Sequence, residues 1–146
     1  MPITYQLRSE EKLAIVVHSE TVTDGEFLSF YEALYRDPRF DKSFNLLVDL
    51  QRAESTVRTS EALRKLADFM VKQYAETPAG PKVAVVAPRD ISFGLARMYE
   101  AMSPTVPWQF EIVRSVDDAL AWLGLPKELM LDVDQDSHGE GSRDSK

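Results

Sequence analysis

Short, nearly continuous apolar runs alternate along this chain with longer stretches in which apolar residues recur at helical spacing. Residues 3–8 and 12–18 read as two strands joined by a tight turn at Ser9-Glu10-Glu11. The second strand carries Leu13-Ala14-Ile15-Val16-Val17, the unbroken run expected of a strand covered on both faces. Thr23-Asp24-Gly25-Glu26 has the form of a capping box, in which the Thr23 hydroxyl and the Glu26 carboxylate bond each other's backbone. The helix that follows places Phe27, Phe30, Tyr31 and Leu34 on one side and should stop by Asp37-Pro38.

The alternation continues. Residues 44–50 (FNLLVDL) form a buried strand ending near Asp49, and residues 51–58 read as a polar loop. Thr59 or Ser60 then caps a helix with a stripe of Leu63, Leu66, Phe69, Met70 and Tyr74. Pro78-Ala79-Gly80-Pro81 breaks that helix, and residues 82–87 (KVAVVA) give another buried strand. After Pro88-Arg89, Asp90 is a good N-cap for a helix whose apolar face is expected to be Ile91, Leu95, Met98 and Met102. Residues 108–113 alternate as a strand, and Ser115 opens a short helix ending at Gly124.

This order, ββαβαβαβα, predicts an α/β fold with a mostly parallel five-stranded sheet and four helices, because helical crossovers join parallel strands. Residues 1–125 form the expected domain, and residues 126–146 an acidic, disordered C-terminal tail.

At 146 residues, 44% of them hydrophobic, the chain has the length and composition of one globular domain. No apolar run approaches the ~20 residues of a membrane helix, and the start of the chain lacks the pattern of a signal peptide. Absence of cysteine removes disulfides, thiolate metal sites and cysteine nucleophiles. A cytoplasmic location is the simplest expectation. The net charge of −7 opposes nucleic-acid binding, which needs a basic face. Part of that charge lies beyond residue 125, which leaves the expected domain at about −4.

Several segments carry a resemblance to a known superfamily: Phe44-Asn45-Leu46-Leu47-Val48-Asp49-Leu50, Val83-Ala84-Val85-Val86-Ala87-Pro88, Phe93-Gly94-Leu95-Ala96-Arg97-Met98-Tyr99-Glu100, and Val116-Asp117-Asp118-Ala119-Leu120-Ala121-Trp122-Leu123-Gly124. The chain resembles the SpoIIAA-like superfamily, which comprises the STAS domains and the STAS/SEC14-like bacterial proteins of unassigned function. The likeness spans residues 1–124. It implies a SpoIIAA-like topology and a regulatory or protein-interaction role. In anti-sigma-factor antagonists of this superfamily, a strand ending in “D-L” is followed by “D-S-S-G”, whose serine is phosphorylated. The resemblance puts Val57, Thr59 and Ser60 at the positions of that aspartate, serine and glycine. Thr59 keeps a hydroxyl, Ser60 supplies another, and the aspartate and glycine are replaced.

Ligands of open parallel sheets bind beyond the carboxyl ends of the strands. His18, Asp49, Gln51, Arg52, Arg89, Asp90, Ser92 and Arg114 should gather there. From that set, joined by Gly94 and Arg97 on the third helix, the candidate ligand-binding residues are Asp49, Arg52, Arg89, Asp90, Ser92, Gly94 and Arg97. They could hold an anion, with free N–H groups at the helix start near Asp90 contributing. The competing reading is structural: Asp49 bonding loop amides, Asp90 capping, arginines paired with nearby acids. For Gly94 the plainer account is close packing of helix on sheet. His18 lacks partners at metal-ligand spacing, and a serine triad drawn through it lacks the “G-x-S-x-G” turn. Asp132-x-Asp134-x-Asp136 imitates a calcium loop, but Ser137 stands at the turn glycine and Arg143 at the bidentate glutamate. Gly80-Pro81-Lys82 lacks the rest of a phosphate loop.

The sequence therefore predicts a non-catalytic regulatory or protein-interaction module of STAS type, acting through its surface as a homodimer, with no metal and no cofactor. The alternative is a binder of a small apolar or anionic, lipid-like ligand in a strand-end or dimer-interface groove. An exposed patch of Tyr99, Met102, Trp108 and Trp122 is the candidate interface. An enzyme using Asp49, Asp90 and His18 is the third reading.

Overall fold

The computed structural model of the chain describes residues 2–55, 58–130 and 142–144. Its elements follow the order β1 (Ile3–Arg8), β2 (Leu13–Thr21), α1 (Asp24–Arg36), β3 (Asn45–Ser55), α2 (Ser60–Gln73), β4 (Lys82–Val86), α3 (Asp90–Met102), β5 (Gln109–Val113), α4 (Val116–Leu123) and β6 (Ser142–Asp144). The α/β class and the four helices agree with the sequence pattern. The sheet differs from expectation in two ways. It is mixed rather than mostly parallel, because the opening hairpin sets β1 antiparallel to β2. It also gains a sixth strand from the region read as a tail, since β6 pairs parallel with β1. The strand order is β5-β4-β3-β2-β1-β6.

Local chemistry fixes most element ends. The hairpin closes through a bond from Lys12 N to Ser9 O, with Lys12 itself in the left-handed region at φ 53°. Thr23 Oγ1 accepts from Glu26 N at 3.1 Å while Thr23 N donates to Glu26 Oε1 at 2.9 Å, the reciprocal box that starts α1. Thr59 caps α2, and Ser115 caps α4 by accepting from Asp118 N. Gly124 ends α4 at φ 74°, a conformation that favours glycine. Helix α3 corrects the expected cap: Arg89 holds the N-cap position without a side-chain cap bond, and Asp90 is the first helical residue.

The polar loop expected over residues 51–58 is mostly strand. β3 runs on to Ser55, pairing with β2 at Ser19–Arg52, Glu20–Ala53 and Thr21–Ser55 through two register shifts. A bulge lets a strand pair continue while re-aiming its side chains. The β2–β3 ribbon thus projects past β4, whose pairing with β3 stops at Asp49.

Alternation along the strands splits the core in two. Ala14, Val16, Leu46, Val48, Val83 and Val85 face α1, α2 and α3. Leu13, Ile15, Leu47, Ala84 and Val86 face α4. Leu129 and Met130 are buried in this second cluster, so packing continues beyond Leu125. The acidic run Asp132–Asp136, with Ser137, His138 and Glu140, lies outside the described residues, as does Val57.

Candidate ligand cavity between the sheet and helices α1 to α3

The two-residue period of the strands decides which polar side chains can meet. In β2, His18 follows Ala14 and Val16 toward the α1–α3 side. In β3, Asp49 follows Leu47 toward the α4 side. His18 and Asp49 therefore project from opposite faces, and the enzyme reading loses its central pair. Asp49 is only 2% exposed and accepts from Gln51 N at 2.9 Å and Gln51 Nε2 at 3.1 Å. It holds the strand's own backbone in place.

The other strand-end candidates make separate contacts at that edge. Arg52 is exposed on β3. Arg89 donates through Nη2 to the Ala53 carbonyl, tying the start of α3 to the projecting ribbon. Asp90 is exposed and receives Arg114 Nη1 at 2.9 Å, while that guanidinium stacks 4.1 Å from the Phe93 ring centroid. Arg97 lies in solvent, 4.0 Å from Glu100. Gly94 is exposed as well, and a Cβ built there meets nothing within 4 Å among the described residues. Close packing therefore does not account for it. Ser92 alone reaches a cavity: it is 1% exposed, donates from Oγ to Arg89 O, and lines the space under α3.

That space is a cavity of about 120 Å³ between the sheet and helices α1, α2 and α3. Its floor is Leu46, Val48, Leu50, Val83 and Val85, and its roof includes Phe27, Leu63, Leu66, Met70, Leu95 and Ala96. Aromatic rings close the end nearest β5, where Tyr99, Trp108 and Phe110 lie 5.5–6.2 Å apart by centroid. Ala53 of the projecting ribbon and Val22, just after β2, also line the cavity. Apolar walls with a few polar groups are the usual make-up of a small-molecule site.

The polar groups are few and individually placed. His18 Nε2 lies 3.3 Å from the Tyr31 hydroxyl. Burial, then the nearby Arg58 charge, pulls the imidazole down to about 3, so it stays neutral. Burial holds the Tyr31 phenol well above its usual range. Tyr35 and Tyr74 share a 2.8 Å hydrogen bond, with Tyr74 donating onward to Lys42 O. Burial pushes Tyr74 up to about 12. Tyr99 is also buried, its phenol pushed well above the ordinary range, and its hydroxyl meets no hydrogen-bond partner among the described residues.

Arg58 sits where the cavity meets the starts of α1 and α2. Its side chain is 9% exposed, its guanidinium lies 5.3 Å from the Phe27 ring centroid, and Nη2 donates to Val22 O. Nη1 is 3.2 Å from Asp24 Oδ1, at an angle that makes an ion pair but no hydrogen bond. Asp24 in turn accepts from Thr59 Oγ1 at 2.8 Å. The Thr59 hydroxyl, one of the two candidate phosphorylation sites, is thus engaged in the α2 cap and in this cluster. Ser60 is exposed on the first turn.

Sequence reasoning missed Arg58 as a lining residue. The period of β2 does aim His18 at the same face as Val16. The expected Tyr99, Met102, Trp108 and Trp122 patch does not assemble: Tyr99 is buried on the α1–α3 side, whereas Trp122 packs on the α4 side beneath Lys82. Helix α3 buries Ser92 and Tyr99, leaving Ile91 (55% exposed) and Met98 (42%) outside. Among the described residues no helix is long and apolar enough to cross a membrane, and no three His, Asp or Glu side chains group as metal ligands. Neither a scan of protein-family models nor a search of curated proteins returned a match.

Proposed function

We propose that the chain is a SpoIIAA-like, non-catalytic binding module that retains a small apolar molecule between its sheet and helices α1–α3. The observation that carries this reading is the apolar cavity of about 120 Å³ with its few buried polar groups. An apolar cavity of about 150 Å³ holds benzene, so a space of about 120 Å³ is on the scale of a single small ring and far short of a lipid chain. The separation of His18 from Asp49, with Asp90 out in solvent, supports binding without catalysis, since acid–base partners must come within hydrogen-bond reach of one substrate.

Toluene is a direct probe. A ligand that binds only the folded state at a hundred times its Kd stabilises by about 2.7 kcal/mol. A rise in melting temperature with toluene is expected, and Ala96→Leu, which fills the roof, should abolish it. Absence of any rise in the native protein would refute the reading.

A second reading, an interaction module acting through its surface as a homodimer, draws on Ile91 and Met98, one helical face of α3 exposed at both positions. Sedimentation of the native chain and of Ile91→Lys tests it. A monomer unchanged by the substitution would remove that support.

A further inference from the structure

Two residues that line the cavity carry a buried polar atom without a hydrogen bond among the described residues. Tyr99 is 7% exposed, and burial keeps its phenol protonated. Its hydroxyl finds no partner among the described residues. Arg58 Nη1 is buried in an ion pair with Asp24 at 3.2 Å, without a hydrogen bond. A buried donor left unmade costs about 1–3 kcal/mol, and a ligand that receives it recovers that loss. The remaining unpartnered buried atom among the described residues, Gln6 Oε1, belongs to a residue that does not line the cavity. The unmet need inside the cavity is for an acceptor.

Charge decides what kind of acceptor. Arg58 is already faced by Asp24 at 3.2 Å, and Glu26 also acts on it. His18 is neutral and adds no cation. A carboxylate entering here would lose its water and meet Asp24 and Glu26 around a guanidinium they already balance. An uncharged oxygen meets neither cost. The rings of Phe27, Tyr31, Tyr99, Trp108 and Phe110 around the space favour a flat ring, which can take edge-to-face contacts.

Resting on the reading of the cavity as a ligand site, we infer that it selects an uncharged aromatic molecule bearing one hydrogen-bond-accepting oxygen, received by the Tyr99 hydroxyl in the cavity with Arg58 as a second donor at the rim. Of the two ligand kinds expected, apolar or anionic, this favours the apolar one and disfavours the anion.

Three probes of matched size separate the terms: acetophenone, ethylbenzene and benzoate, titrated against the native chain and Tyr99→Phe. In the native chain acetophenone should bind about three- to tenfold more tightly than ethylbenzene, the range one neutral hydrogen bond supplies, and benzoate most weakly. In Tyr99→Phe the acetophenone advantage should fall to within about twofold while ethylbenzene is unchanged. Because that variant removes an unsatisfied hydroxyl, it should melt no lower than the native chain. Tightest binding by benzoate would overturn the uncharged-ligand inference and leave the cavity reading standing. An acetophenone advantage that survives in Tyr99→Phe would overturn the assignment of Tyr99. If none of the three binds, the cavity reading itself fails.

Discussion

Beneath α4, Leu13, Ile15, Leu47, Ala84 and Val86 meet Ala119 and Leu120, and each of these seven residues is completely buried. Across the sheet, the same strands send Val16, Val48, Val83 and Val85 toward three helices, and there the side chains leave a cavity. One face is closed with short aliphatic side chains. The other is spanned by aromatic rings, which reach far but stack at angles and leave gaps between them. Close packing is worth most where it excludes everything else, so on the proposed reading the two faces divide the tasks of holding the fold and receiving a ligand.

The division can be attacked from the packed side first. Leu47→Asp places a charge in the dry α4 face and should cost more than about 4 kcal/mol, enough to unfold the domain in a denaturant titration.

Acid attacks the other face. The His18 imidazole titrates near 6.5 when unfolded and at about 3 when folded. Between those values the unfolded chain binds the extra proton. Stability is therefore full above pH 6.5 and is lost as the pH falls toward 3. From pH 7 to pH 4 the loss from this one group is about 3 kcal/mol. His18→Phe should flatten that part of a stability–pH curve. Asp37, held below the usual carboxylate range by its bonds to Arg39, adds its own loss only below about pH 4. A curve unchanged by His18→Phe would mean that the imidazole is not buried as described.

Enlarging a small residue on each face gives a finer comparison. Ala84→Leu must overpack the α4 side, at about 1–3 kcal/mol. Ala96→Leu enters the cavity and should cost less than Ala84→Leu in the same titration. Equal losses would show that the two faces are equally full. The smallest effect belongs to Gly94→Ala. A methyl there meets nothing within 4 Å among the described residues, so helix propensity alone should add about 1 kcal/mol of stability in thermal unfolding.

What the sequence made legible was local. Capping residues Thr23, Thr59 and Ser115, the glycine at 124 and the unbroken apolar strands announce themselves within a few positions, because the bonds they make span three or four residues. Helix α3 was misjudged because apolar residues occur all around it. Ile91, Leu95, Met98 and Met102 make the more obvious stripe, yet Ser92 and Tyr99 are buried, and the packing partners that decide this come from β5 and α2. The end of β3 was misjudged for a related reason: Gln51 to Ser55 is polar by composition and becomes strand only because β2 lies alongside. The cavity left still less trace. A void is a shortage of volume summed over many side chains, and no single residue encodes it.

Two contacts gather these threads. The Thr59–Asp24 bond joins residues 35 positions apart, and Arg58 to Val22 spans 36. Neither can form until β2 and β3 have found each other and brought two helix starts together. Contacts that close long loops come at the end of a conformational search, since chain entropy must be surrendered before they return anything. The contacts around Arg58 are thus expected to form late in folding. By the same logic they can part while the strands stay paired, and on the proposed reading that is where a ligand would pass without the domain coming undone.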